Sequence, residues 1–175
     1  MGIKLEIGCG TSPKKGYEHL DIQPFPHVEY LADALKIPLG NETVSEIYTA
    51  NTIEHFWWYE IEPLLKEWFR VMAAGGILIV YTVDSDIIFK KFYDGSWKEE
   101  IDQHPEKAGY NWIFRSGEDK HMWLNFNLYG TGAPTNAHRT AFTFEMMKSC
   151  MERAGFKDIE RIGEVNYVLG VKARK

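Results

Sequence analysis

Two glycines stand directly behind an apolar stretch in Glu6-Ile7-Gly8-Cys9-Gly10-Thr11-Ser12. Glycine lets the main chain approach a ligand closely and adopt conformations that other residues avoid. Two aspartates follow at the ends of short segments, Asp21 after Tyr17-Glu18-His19-Leu20 and Asp33 after Val28-Glu29-Tyr30-Leu31-Ala32. A carboxylate at such a position can accept both hydroxyls of a ribose, and a second one can take the exocyclic amine of an adenine. Singly, the glycine pair is a tight turn and each aspartate a solvated turn residue. As an ordered series they describe an edge that could hold a nucleoside.

For these groups to meet, they must sit at the carboxyl ends of neighbouring parallel strands, where doubly wound folds bind ligands. The chain supplies such strands. Ile3–Ile7, Tyr17–Ile22, Val28–Leu31 and Ser45–Ala50 are short and apolar, and 76–83 (Gly-Ile-Leu-Ile-Val-Tyr-Thr-Val) is nearly continuous and β-branched. Runs of that kind belong in parallel sheets covered on both faces. Between the last two, 51–74 reads as helical. Asn51 and Glu54 fit a capping box, Pro63 divides the stretch into two helices by opening the second, and Gly75-Gly76 ends it. A later helix, Phe144–Ala154, buries Phe144, Met147, Cys150 and Met151 and stops at Gly155. Segments 157–162 and 166–172 then close as an antiparallel hairpin across Gly163-Glu164-Val165.

The fold class is therefore α/β: a Rossmann-like, doubly wound mixed sheet of about seven strands, mostly parallel with a C-terminal antiparallel hairpin. The link between the first two strands is short for a parallel crossover, which usually takes a dozen residues or more. Ser12, Pro13 and Gly16 leave room for a first helix of one turn. Residues 84–140 form an insertion after strand five, too long for a plain loop, and are expected to serve as a lid or substrate wall.

The 175 residues carry a net charge of −5 and are 45% hydrophobic, which suits one globular domain spanning 1–175 and excludes a disordered chain. No apolar run reaches the ~18 residues of a membrane span. The opening Met1-Gly2-Ile3-Lys4-Leu5 lacks a signal-peptide layout, and Cys9 and Cys150 are too few for a disulfide scaffold, so a cytoplasmic setting is expected. The acidic balance argues against bulk nucleic-acid binding.

Taken in order, these motifs resemble the class I S-adenosylmethionine-dependent methyltransferases, and within them a group with a shortened first helix. Residues 5–10 look like the family's first motif, 16–21 its second and 32–38 its third. Asn51-Thr52-Ile53-Glu54-His55 is similar to the motif after strand four, residues 67–76 to the approach to strand five, and 136–139 with the following helix to the closing segment. The resemblance implies S-adenosyl-L-methionine as cofactor. Gly8, Cys9 and Gly10 would face its methionine part, with Glu6 reaching the amino group. Asp21 would bind the ribose, Ile22 would pack on the adenine and Asp33 would hold its amine. Ala34 and Leu35 would line that pocket, and Asn51 would lie near the sulfonium. Ser12 replaces the third motif glycine. The helices that often precede strand one are absent, so a lid must come from the insertion or from another subunit of a homodimer.

Methyl transfer of this kind needs alignment and exclusion of water, and a base only where the acceptor loses a proton. The candidate catalytic residues are His55 and His138. His55 is expected at a helix N-terminus, whose dipole would keep it neutral; each histidine also reads as a packing residue. Arg139 could hold an anionic substrate group or a helix carboxylate. A metal held by Glu54, His55 and His138 is set aside, because Asn51 stands where a further carboxylate would be needed and capping accounts for Asn51 and Glu54. The aromatic run Phe56-Trp57-Trp58-Tyr59 reads as core or interface, or as a stacking surface for a planar substrate. The expected activity is in-line methyl transfer to a small-molecule or carbohydrate-type acceptor; a scaffold that binds the cofactor without turnover is the alternative. A nicotinamide dehydrogenase is disfavoured, since Pro13 occupies its third glycine position and Asp21 comes too early.

Overall fold

The computed structural model describes residues 2–98, 120–130, 137–165 and 167–175. Strands β1 (Ile3–Ile7), β2 (Glu18–Asp21), β3 (Tyr30–Leu31), β4 (Val44–Ala50), β5 (Met72–Val83), β6 (Lys157–Val165) and β7 (Val168–Arg174) form one sheet in the order β3-β2-β1-β4-β5-β7-β6. The first five run parallel, and β7 is antiparallel to both β5 and β6. The topology is the mixed, mostly parallel sheet expected. The order reverses between β1 and β4, which opens a crevice at their carboxyl ends.

Helices α1 (Ile61–Val71) and α4 (Phe144–Ala154) supply the main helical packing. In α1 the residues Ile61, Leu64, Leu65 and Trp68 are buried, and in α4 Met147, Cys150, Met151 and Ala154 repeat the same three-four spacing. Both stripes join a core with Leu5, Ile7, Ile47, Leu78, Val80 and Val171 from the strands. Thr143 caps α4 by accepting from the Met146 amide, and Gly155 closes it at a φ of 106°.

In the insertion, α2 (Ser85–Asp94) follows β5 directly, capped by the Asp84 side chain, which Arg161 also engages; α3 (Lys120–Tyr129) packs against α2. Ile88, Trp97 and Trp123 make a second small core, with Leu128 and Tyr167 against it. His104 and Trp112, and Asn136 of the closing motif, lie outside the described residues, as does Asn166.

Several local expectations are corrected. The one-turn helix at 12–16 is not formed. Pro13 has no amide to offer, and the Lys14 amide is drawn instead onto the buried Glu6 carboxylate at 2.6 Å, leaving a chain of turns. Asn51 does not cap a helix: its φ is +50° and its amide donates to the Tyr81 carbonyl. After it comes a short 3-10 turn, Ile53–His55, and Pro63 is the third rather than the first residue of α1, a position whose amide needs no helical partner. Gly75-Gly76 lies within β5 at a register shift, so the strand begins at Met72. β6 runs on through 163–165, where a link was expected.

Candidate active site

The turn after β1 rests on a steric requirement. Gly8 has a φ of +71°, and a Cβ there would stand 2.1 Å from the Thr52 hydroxyl oxygen. Thr52 is itself fixed, donating to the Ile7 and Ala50 carbonyls. Only glycine lets the β1 and β4 ends come this close. The Gly8 amide donates to the Leu20 carbonyl, which brings the end of β2 alongside.

Asp21, at 7% exposure, holds the next layer. Its Oδ2 accepts from the Gly10 amide and its Oδ1 from the Gln23 amide, each at 2.9 Å. Oδ1 keeps a further acceptor site, while Oδ2 also takes the Cys9 thiol at 3.9 Å. Asp33 is exposed, its Oδ1 bonded to the Leu35 amide at 2.9 Å in a turn that exposes the rest of the carboxylate. This turn is fastened from below by Glu67, which accepts from the Ile37 amide and pairs with Arg70 through both oxygens. Arg70 in turn donates to the Ile37 and Leu39 carbonyls.

These groups open on one cleft of about 460 Å³, within the range of small-molecule sites. Its lining includes Gly8, Gly10, Asp21, Ile22, Asp33, Ala34, Leu35, Asn51 and Thr52 around the β1 turn, with His55, Phe56, Ala137 and Arg139 beyond them. Ile22 is 70% exposed, an apolar side chain without a protein partner to cover it. Glu6 and Cys9 are not in the lining. Glu6 is spent on Lys14 and lies 3.6 Å from the His19 ring, and the Cys9 thiol sits against Asp21, where burial first and the Asp21 charge next push it up to about 11. Gln23, Ala32 and Glu60 line the cleft unannounced by the sequence reading; only their position next to the motif residues could have signalled them.

At the far end two remote segments are tied together. The Glu54 carbonyl accepts from the Arg139 and Thr140 amides, the Thr140 hydroxyl donates to the Phe56 carbonyl, and His55 Nδ1 donates to the Ala137 carbonyl at 3.1 Å. These bonds bring the His55 and His138 rings to 5.4 Å between centroids. His55 closes the 3-10 turn and is not at a helix N-terminus; its ring is set by Ala137, leaving Nε2 as the nitrogen with the lone pair. His138 is half-buried outside the lining. Burial, then the neighbouring His55, holds it below the usual histidine range, while the Leu128 and Asn127 carbonyls act the other way. Arg139 is exposed and lies 5.2 Å over the Trp57 ring. Trp57, Trp58 and Tyr59 are exposed.

Behind His55, Glu54 is 1% exposed. Its Oε2 accepts from the Thr82 hydroxyl at 2.9 Å, but Oε1 is buried without a hydrogen-bond partner. Burial raises its carboxyl above the ordinary value, against opposing pulls from its own main chain, Thr82 and His55.

Sheet order and cleft together define a doubly wound α/β protein with a nucleoside-sized site at its topological switch. A family model described as a methyltransferase domain matches residues 14–80. The structure is similar to a methyltransferase dependent on S-adenosylmethionine from Thermotoga maritima (19% identity, 100% of this chain and 83% of that one, TM-score 0.58). It is also similar to one from Mesorhizobium loti (14%, 99% and 90%, 0.60). Human N-acetylserotonin methyltransferase, solved in complex with S-adenosylmethionine, aligns at 12% identity over 99% of this chain and 48% of that one, with a TM-score of 0.57. At such identities these likenesses establish the fold; no curated protein sequence matches the chain. Residues 14–80 thus carry the pattern of a methyltransferase domain, and the chain as a whole has the fold seen in S-adenosylmethionine-dependent methyltransferases. No helix among the described residues is long and apolar enough to cross a membrane.

Proposed function

We propose that this chain transfers a methyl group from S-adenosylmethionine to a small-molecule acceptor, carbohydrate-type acceptors included. The observation that carries the reading is the convergence of the glycine turn, Asp21 and Asp33 on one cleft. Its donor set suits the cofactor: a carboxylate for a diol, a second carboxylate for an amine, and Ile22, Ala34 and Leu35 as apolar surface for a flat base. In this reading Asp21 binds the ribose hydroxyls, Asp33 the adenine amine, and Gly8 and Gly10 leave room for the methionine part, while Asn51 stands toward the sulfonium. The bound cofactor supplies an electrophilic methyl group. The protein's work is to align the acceptor and exclude water.

The acceptor enters between His55, Phe56, Ala137 and Arg139, so the end of the 84–140 insertion forms the substrate wall, and Trp57 holds Arg139 at its rim. His55 Nε2 is the basic nitrogen facing the cleft. It takes the acceptor's proton where one must leave, unless the groups behind it give that lone pair another task. Incubation with S-adenosylmethionine tritiated in the methyl group and fractions of small metabolites tests the activity. Label should enter a low-molecular-weight product, and His55→Ala should lower its rate by about 10²-fold or more. Absence of labelled product across fractions would contradict turnover.

A further inference from the structure

The three side chains at the acceptor end share a pattern that packing does not require. One oxygen of Glu54 and one ring nitrogen each of His55 and His138 lie within 4.8 Å of one another. Glu54 and His55 are each held at one atom and left open at another. Thr82 takes Glu54 Oε2, the Ala137 carbonyl takes His55 Nδ1, and the Leu128 and Asn127 carbonyls lie beside the His138 ring. A neutral imidazole has one N–H, so each ring keeps a lone pair on one nitrogen, and in His55 that nitrogen is Nε2. Glu54 Oε1 has no partner although it is fully buried. A buried, half-satisfied carboxylate is costly, and capping, which would have explained Glu54, is absent from the structure.

We infer that Glu54, His55 and His138 form a binding site for one divalent transition-metal ion. Imidazole nitrogens with a single carboxylate favour zinc, iron, cobalt or manganese over magnesium and calcium, which prefer oxygen alone. The Thr82 hydroxyl fixes the Glu54 carboxylate and the Ala137 carbonyl fixes the His55 orientation and tautomer, as such partners do around bound metals. Metal–ligand bonds of about 2.0–2.2 Å place ligand atoms no more than ~4.4 Å apart, so the observed separations need only small side-chain adjustments. Three protein ligands leave a coordination position open. Because His55 lines the cleft, that position faces the acceptor end; this consequence rests on the function proposed above, but the binding of the ion does not.

Isothermal titration of the chelator-stripped protein with Zn²⁺ and, separately, Mg²⁺ tests the site. Zn²⁺ should bind at one ion per chain and Mg²⁺ should give no comparable signal. Glu54→Gln and His138→Gln should each weaken Zn²⁺ at least tenfold while keeping the far-ultraviolet dichroism of the wild type. A second readout needs no variant: pulsed electron paramagnetic resonance of Mn²⁺ or Cu²⁺ bound to the wild type should show coupling to imidazole nitrogen. Absence of Zn²⁺ binding, unchanged affinity in both folded variants, or absence of nitrogen coupling would overturn the site and return His55 to service as a base. S-adenosylhomocysteine titrated into the same samples keeps the two ideas apart. It should bind wild type and Glu54→Gln alike, and failure to bind either would sink the cofactor reading while leaving the ion site standing.

Discussion

The two ends of the cleft are built by opposite means. At the cofactor end the polar groups come from residues 8–35 and Asn51, and each carboxylate is met by main-chain amides a few positions away or in the turn after the adjacent strand. At the acceptor end the groups come from residues 54–55, 82 and 137–139, and the most buried of them, Glu54, is left half-satisfied. The first end is stable as it stands and offers spare acceptor sites. The second holds its polar groups at a cost to the fold, as functional sites do.

Four substitutions test this contrast, beginning with the largest effect. Gly8→Ala should destabilise by about 3 kcal/mol, from the left-handed φ and the collision with Thr52 together. At this chain length that is a fall in Tm of roughly 10 °C. Gly10→Ala shares the positive φ but meets nothing within 4 Å, so it should cost only about 1 kcal/mol. Equal effects from the two glycines, measured by thermal unfolding, would show that the close approach of Thr52 is not the constraint. Asp21→Leu should cost about 2 kcal/mol, because it strands the Gly10 and Gln23 amides.

Glu54→Met provides the counterpart at the other end. Removing a buried carboxylate whose Oε1 lacks a partner should leave the metal-free protein about as stable as before, the lost Thr82 hydrogen bond offsetting the relief of burial. A loss as large as that of Asp21→Leu would erase the distinction between the two ends.

A fifth substitution concerns the clamp beneath the Asp33 turn. Hydrogen bonds from Arg70, ahead of the amide of Ile37, hold the Glu67 carboxyl below its usual range against the cost of burial. Its contribution is therefore complete above the ordinary carboxyl pKa and is lost as pH falls through the lower folded value. Glu67→Gln should cost about 1 kcal/mol near neutrality and much less in acid, which denaturant unfolding across that range would register.

Legibility followed the same division. Gly8, Asp21, Ile22 and Asp33 could be read in order because each sits where its own strand ends, so local pattern fixes its place. The sheet was legible for the same reason: β-branched runs and glycine breaks are local signals. In the sequence Glu54 reads as a capping residue, and its grouping with His55 and His138 is set aside. The spacing of Glu54 from Asn51 matches a cap, and only the pairing of its carbonyl with Arg139 and Thr140 turns the side chain toward Thr82 and the histidines. The loop at 12–16 failed for a related reason. Helix signals in Ser12 and Pro13 were outweighed by Glu6, a buried carboxylate whose nearest donor was the Lys14 amide.

The central claim is that the β1 turn and the Asp21 carboxylate form a ribose-binding edge. Calorimetric titration of S-adenosylhomocysteine into wild type and Asp21→Asn measures it directly, since asparagine keeps the size of the side chain and removes its charge. Saturable binding to the wild type, weakened roughly 10²-fold or more in a folded Asp21→Asn variant, is the predicted result. Equal affinity in the two proteins would contradict it.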